Sequence, residues 1–142
     1  MPHPNSSLTA EQLNAGAAEF LPDQLGMRLT AVGDGWTEGE MEVRKPLMAP
    51  NGFLHAASVI ALADSLAGLG CVRSLPDGAT GFTTIELKSN FLGTARDGWL
   101  EGRASAAHLG RTTQIWDAEI KHRESGKTIA LFRCTQMVLW PR

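Results

Sequence analysis

The chain has 142 residues, 43% of them hydrophobic and 20% charged, which fits one globular domain with a substantial core. Its formal net charge of −2 argues against a nucleic-acid-binding protein, which would usually carry a basic face. Cys71 and Cys134 lie far apart in apolar runs, so the sequence predicts buried free thiols, no disulfide framework and a cytoplasmic location.

The N-terminal segment, residues 1–24, is expected to hold a loose terminus and one short helix. Ser7 and Thr9 are candidate N-caps for this helix, which we expect to continue to about Phe20. The terminus is polar and lacks the apolar run of a signal peptide. The remaining residues, 25–142, are predicted to form the single main domain.

Two strands are predicted next, over residues 27–32 and 36–44, with a turn at Gly33-Asp34-Gly35 between them. In the second strand Met41 and Val43 fall on one face, and glutamates alternate on the other. This alternation is typical of an antiparallel strand with one face in solvent.

Residues 55–72 form the most apolar part of the chain and predict a helix that is buried on most sides. The run is interrupted by Asp64 and by two serines, Ser58 and Ser65. We interpret it as too short and too polar to span a membrane.

Four further strands are predicted in the second half of the chain. They cover residues 82–91, 99–108, 112–122 and 127–140. In the first of them the alternation assigns Thr83, Ile85 and Leu87 to one face, and Thr84, Glu86 and Lys88 to the other. One buried helix wrapped by one curved antiparallel sheet is the economical α+β arrangement, and an uncovered helix face would favour a dimer.

Asp64 is the most unusual residue of the predicted helix, because its neighbours are Leu62, Ala63 and Leu66. An unpaired carboxylate is costly to bury, and desolvation raises its pKa toward the range useful for a base or nucleophile. The alternative is a structural carboxylate on a narrow polar stripe, bonded to Ser65 or to a neighbouring loop.

The start of the helix is a second candidate for chemistry. Its first backbone N–H groups lack partners within the helix, and the N–H of Ala56 is placed to hold an oxyanion. Asp64 lies more than two turns further along and cannot reach this point within its own subunit. An antiparallel pairing of two such helices would bring it to the partner's helix start, so a composite site is expected.

The segment from Pro50 through His55 to Asp64 resembles the PaaI-like acyl-CoA thioesterases, a hotdog-fold family close to the 4-hydroxybenzoyl-CoA thioesterases. In that family an acidic residue follows the helix-start histidine by nine positions, which is the spacing of His55 and Asp64. The resemblance also includes residues 84–92 and the turn 108–112, which is similar to a turn that contacts CoA.

The resemblance implies a role for each site residue. Asp64 would be the nucleophile or general base, and the Ala56 N–H would be the oxyanion donor where the family has glycine. His55 would order the helix start, and Thr84 falls where some members carry a hydroxyl that positions the attacking water. Asn51 would replace an amide that the family carries at the position of Ala49.

The resemblance also implies contacts to CoA. Arg111 and Arg103 are candidates for binding its phosphates, with His108 and Gly110 beside Arg111 in the same turn. A solvated turn is the alternative for these residues. CoA is part of the substrate, and neither a metal nor any other cofactor is expected.

The function implied is hydrolysis of an aryl- or medium-chain acyl-CoA by a homodimer or by a homotetramer built as a dimer of dimers. Direct attack by Asp64 and activation of a water both remain open. A hotdog enoyl-CoA hydratase or dehydratase, pairing His55 with Asp64, is one alternative. A non-catalytic acyl-CoA-binding protein is another, because glycine is missing at the helix start and the amide is missing at Ala49. Neither nucleic acid nor membrane is an expected partner.

Overall fold

One antiparallel sheet and one long helix contain most of the chain, which the computed structural model describes over residues 1–142. The strands are β1 (Arg28–Gly33), β2 (Trp36–Glu42), β3 (Gly81–Phe91), β4 (Trp99–Leu109), β5 (Thr113–His122) and β6 (Thr128–Leu139). The helices are α1 (Ala10–Gly16), α2 (Leu21–Gln24) and α3 (Ala56–Arg73). The strand order is β1-β2-β4-β5-β6-β3, so β1 and β3 are the two edges of the sheet. This is the hotdog arrangement, and every predicted strand is present with ends shifted by a few residues.

The N-terminal segment packs onto the sheet. Thr9 caps α1 through a reciprocal capping box, but the helix ends at Gly16 and not near Phe20 as predicted. The early end has a local cause, because Glu19 adopts a φ of 70° that no α-helix accommodates. The side chain of Asn14 both donates to and accepts from the backbone of Leu29, which ties α1 to β1.

α3 lies against the inner face of the sheet and contacts five of the six strands, β2 to β6. A pair of glycines, Gly39 on β2 and Gly102 on β4, stand opposite each other beneath Leu66. A Cβ at Gly39 would come within 2.7 Å of a Leu66 methyl group and 2.8 Å of a backbone oxygen. The missing side chains therefore form the depression that sets how closely the helix approaches the sheet.

By length and composition alone, Ala56–Arg73 is apolar enough to cross a membrane, so the prediction that it is too short and too polar was wrong on those two criteria. In the structure eight of its residues are buried, among them Leu62, Ala63 and Leu66 with no exposed surface. Its apolar character is therefore accounted for by packing against the sheet.

A β-bulge at Ile85 changes the faces of β3. Thr84 pairs with Gln136 of β6 and Leu87 pairs with Cys134, and both partners point to the interior. Directly opposed residues share a face of the sheet, so Thr84 and Leu87 lie on the same side. The predicted alternation, with Thr84 and Leu87 on opposite faces, was wrong because a bulge inserts one extra residue and reverses the pattern beyond it.

Candidate active site

The first turn of α3 leaves one backbone donor free. The His55 carbonyl accepts from the N–H groups of Ser58 and Val59, and the ring of His55 accepts from the Ala57 N–H at 2.9 Å. The Ala56 N–H has no acceptor in the chain. Ala56 is exposed and does not need a positive φ, so the side chain that replaces a glycine here leaves the donor in place. The helix start thus offers one N–H group, at the positive end of the helix dipole.

His55 is the N-cap of α3 and fixes the geometry of this donor. Its backbone N–H donates to the Leu47 carbonyl at 3.1 Å, and the same carbonyl accepts from the buried hydroxyl of Ser58 at 2.8 Å. Because Nδ1 accepts the cap hydrogen bond, the neutral ring carries its proton on Nε2. The exposed ring therefore presents a second N–H donor at the start of the helix.

Asp64 is half-buried, and no hydrogen bond in the chain reaches its carboxylate. Its Oδ1 atom is fully buried without a partner. Burial raises the pKa of Asp64. Burial also raises the pKa of the Cys134 thiol to about 12, and the charge of the Asp64 carboxylate adds to this rise. A half-buried, unpaired carboxylate is the expected state of a functional base and not of a structural ion pair.

The carboxylate lies on the helix face that looks toward β3 and β6. Phe82 of β3 packs against Gly68, and Asp64 is one helical turn before Gly68. Thr84 shares the inner face of β3 with Phe82, exposed and without a side-chain hydrogen bond. The structure therefore places Asp64 and Thr84 on facing elements, because Thr84 pairs with the inward-pointing Gln136 just before the bulge.

Gln136, on β6 beside Thr84, was not identified from the sequence. Its side chain has no exposed surface, and neither its amide nitrogen nor its amide oxygen has a partner. The sequence signal that could have identified it is alternation, because Gln136 lies two residues from Cys134 and two from Val138, on the same inward face of β6. Its neighbour Gln114 is equally buried but fully paired, to the Ser74 carbonyl and the Trp116 indole, each at 2.8 Å.

Asn51 lies in the exposed loop before the helix. Its Oδ1 atom accepts from the Phe53 N–H at 3.1 Å, which closes a local turn. The Ala49 N–H, at the position where the family carries an amide side chain, donates to the Phe53 carbonyl at 2.7 Å. The Asn51 amide nitrogen has no partner and is the part of this side chain that remains available.

The four residues predicted to contact CoA do not lie together. His108, Gly110 and Arg111 form the β4–β5 hairpin, where the Arg111 guanidinium stacks on Trp140 at 4.6 Å and has no acidic partner. Arg103 lies in the middle of β4, on the outer face of the sheet, where it pairs with Glu38 at 2.5 Å. Phosphate binding by Arg103 would require this ion pair to break.

Within one protomer the Ala56 N–H and the Asp64 carboxylate lie too far apart to act on the same reacting group. Ala56 and Asp64 are eight residues apart, about 12 Å along a helix axis. Hydrogen-bond donors and the base must lie within about 3 Å of the same reacting group. A site that used both groups would have to take them from different copies of the helix.

Comparisons with known proteins assign the chain to a family. Residues 51–129 match the family model of the thioesterase superfamily. The chain is 31% identical to a putative esterase of Haemophilus influenzae, over 94% of this chain and 95% of the relative. It is 30% identical to a 1,4-dihydroxy-2-naphthoyl-CoA hydrolase of Escherichia coli, covering 93% and 96% of the two chains. A crystal structure of a mutant thioesterase from Pseudomonas aeruginosa superposes with a TM-score of 0.88, at 32% identity, over 94% and 95% of the chains.

The raised pKa of Asp64 predicts a pH-dependent stability. The folded protein keeps this proton to higher pH than the unfolded chain does, so the free energy of unfolding falls as pH rises from the ordinary value of 3.8 through the raised one. Asp64→Asn lacks this titration, and its stability relative to wild type should increase across that window and then level off. Thermal melts of both proteins from acid to neutral pH measure this difference, and parallel curves would contradict the prediction.

The two buried glutamines provide a matched pair for a stability test. Gln136→Met keeps the side-chain length and removes two unpaired polar atoms, so the free energy of unfolding should rise by about 1–2 kcal/mol. Gln114→Met breaks two hydrogen bonds and leaves the Ser74 carbonyl and the Trp116 indole unpaired. The free energy of unfolding of this variant should therefore fall by a similar amount. Urea denaturation measures both changes, and equal losses in the two variants would show that Gln136 has a partner in solution.

Proposed function

Since this chain belongs to the thioesterase superfamily and is a thioester hydrolase, we propose that it hydrolyses an aromatic acyl-CoA to the carboxylic acid and free CoA, with Asp64 and the Ala56 N–H as its catalytic groups. The observation that carries this proposal is the unpaired Ala56 N–H at the helix start, together with the unpaired Asp64 carboxylate on the same helix. An aromatic acyl group is favoured because similar relatives from Listeria and Escherichia coli are named 1,4-dihydroxy-2-naphthoyl-CoA hydrolases.

The site is proposed to form between two protomers whose α3 helices pack antiparallel. Two features support this pairing. β3 is an edge strand of 11 residues that leaves one backbone edge unpaired, and Ile85 and Leu87 expose apolar surface on it. The neighbouring face of α3, which includes Ala57 and Ala61, is also incompletely covered by the sheet. We propose that a two-fold pairing across these surfaces brings Asp64 of each protomer to the helix start of the other.

In the proposed reaction the thioester carbonyl oxygen accepts from the Ala56 N–H, and His55 Nε2–H lies beside it as a second donor. Both groups stabilise the negative charge that develops on that oxygen when the carbonyl carbon is attacked. The attacking atom is either a water oxygen, whose proton passes to Asp64, or the Asp64 carboxylate itself, in which case water then hydrolyses the anhydride. In both routes the thiolate of CoA leaves and takes up a proton. Thr84 and the Asn51 amide nitrogen are proposed to position the water.

Neither alternative function is favoured by a specific observation. Similar relatives are named putative esterases, 1,4-dihydroxy-2-naphthoyl-CoA hydrolases and, in Cronobacter, proofreading thioesterases, and none of these names is that of a hydratase or of a binding protein. Besides the missing amide at Ala49, the replacement of glycine by Ala56 was a reason to consider a non-catalytic protein. That reason is weakened because the Ala56 N–H remains free.

The free thiols of Cys71 and Cys134 support the proposed cytoplasmic location.

Two substitutions test the proposed catalytic groups through release of free thiol from aromatic and aliphatic acyl-CoAs. Asp64→Asn should lower kcat by about 10²-fold or more, as expected for loss of a base or nucleophile. Ala56→Pro removes the proposed oxyanion donor and should lower kcat by about 10²-fold. Proline is well tolerated at the first position of a helix, and the extended conformation of His55 (φ −64°, ψ 136°) suits a residue that precedes proline.

The matched control is Ala56→Gly, which keeps the N–H and should retain activity close to wild type. Circular dichroism of all three variants separates loss of chemistry from loss of fold. Absence of turnover on every acyl-CoA, or an unaffected Asp64→Asn, would contradict the proposed function.

A further inference from the structure

Three buried side-chain atoms have no hydrogen-bond partner in the chain, namely Oδ1 of Asp64 and both amide atoms of Gln136. The other buried polar side chains are all paired. The hydroxyls of Thr37 and Ser58 donate to backbone carbonyls, and Gln114 is bonded at both ends of its amide. Because an unpaired polar atom in the interior costs free energy, Asp64 and Gln136 are the two exceptions that a function has to account for.

The two unpaired groups are chemically complementary. A carboxylate only accepts hydrogen bonds, whereas an amide nitrogen donates them. Gln136 Nε2 is the one buried side-chain nitrogen left without an acceptor, and Asp64 Oδ1 is the one buried carboxylate oxygen left without a donor. Burial is the only cause of the raised pKa of Asp64, so no charged side chain of the protein orients this carboxylate.

The contacts of α3 with β3 place Gln136 opposite this part of the helix. Gly68 lies one helical turn after Asp64 and packs against Phe82 of β3. Phe82 pairs with Val138 of β6. Gln136 lies two residues before Val138, on the same inward face of β6. One end of the segment that carries Gln136 is therefore anchored beside the helix turn that follows Asp64.

The contacts of α3 with β5 anchor the other end of this segment. Gly70 packs against Trp116 of β5, which pairs with Cys134 of β6. The charge of the Asp64 carboxylate also contributes to the raised pKa of the Cys134 thiol. Gln136 therefore faces the helix between two anchored positions, and no hydrogen bond joins its amide to Asp64 in the free protein.

We infer that the Gln136 amide donates a hydrogen bond to Asp64 Oδ1 when an acyl group occupies the site, and so directs the other carboxylate oxygen at the reacting carbonyl or water. This inference rests on the proposed function, because it concerns Asp64 as the base or nucleophile. Gln136 is a positioning residue in this scheme: it acts through Asp64 and does not touch the substrate.

Substrate binding supplies the reason for the two groups to pair. An acyl group that covers the exposed part of Asp64 removes the water that solvates its charge. The carboxylate then needs a donor from the protein, and hydrogen bonds of an active site commonly tighten only at this stage. The Gln136 amide thus stabilises the substrate complex, while it destabilises the free protein as an unpaired group.

The variant Gln136→Met separates a positioning role from a structural one. It should unfold at a higher urea concentration than wild type, because two unpaired polar atoms are removed. Its kcat on the acyl-CoA that wild type turns over fastest should nevertheless fall by about tenfold, because the carboxylate is no longer held in place. The matched control is Gln114→Met on the neighbouring strand, which should be less stable than wild type with kcat unchanged.

The pH dependence of the rate gives a readout that a structural role would not move. A donor to the carboxylate stabilises its ionised form and lowers its pKa in the substrate complex. The acidic limb of the kcat profile should therefore move to higher pH in Gln136→Met. The limb of kcat/KM reports the free enzyme and should stay in place. The thiols of Cys71 and Cys134, each with a pKa raised to about 12, do not titrate in this range.

A double-variant cycle shows whether Gln136 acts through Asp64. Adding Gln136→Met to Asp64→Asn should lower kcat by less than about twofold, because no carboxylate remains to be oriented. An unchanged kcat in Gln136→Met, or an equal loss in both backgrounds, would overturn the inference. So would a loss of both stability and rate with the kcat limb in place, which identifies a purely structural amide. Turnover that depends on Asp64 and not on Gln136 leaves the proposed function intact, whereas no turnover on any acyl-CoA overturns both.

Discussion

The packing of α3 against the sheet is the constraint on which the rest of the structure depends. Leu66 sits in the depression left by Gly39 and Gly102, and Gly70 leaves room for the ring of Trp116. These contacts fix the helix in rotation and in translation. As a consequence, its N-terminus emerges at the surface with a free Ala56 N–H, and Asp64 points between the sheet and an uncovered helix face.

Neither polar group of the proposed site has a partner in the chain, and for Asp64 that state is unfavourable, because its Oδ1 atom is buried away from water. The Ala56 N–H is exposed, so water can satisfy it until a ligand binds. His55 caps Ala57 and leaves Ala56 free, and no group of the chain donates to the Asp64 carboxylate. Conflicts of this kind between stability and polarity are expected at functional sites.

The sequence was sufficient to predict the order of the elements and the two ends of the proposed site, because both depend on local signals. Alternation predicts strands, an apolar run predicts the buried helix, and an isolated Asp64 is visible without any coordinates. Which residues of β3 share a face could not be predicted, because a bulge at Ile85 interrupts the alternation without leaving a signal in the sequence. Gln136 was overlooked for a related reason, since its burial follows from pairing with β3 and β5 and not from its neighbours along the chain. The separation of Arg103 from the hairpin likewise depends on the cross-strand partner Glu38.

The composite nature of the site is the central claim, and mixing two inactive variants tests it most directly. Asp64→Asn and Ala56→Pro protomers are unfolded together at equal concentration, refolded and assayed for thiol release. If each site takes Ala56 from one protomer and Asp64 from its partner, half of the dimers are mixed and each mixed dimer has one intact site, so about a quarter of wild-type activity should return. Activity no higher than that of the two variants refolded separately, in dimers shown to have exchanged, would contradict the claim.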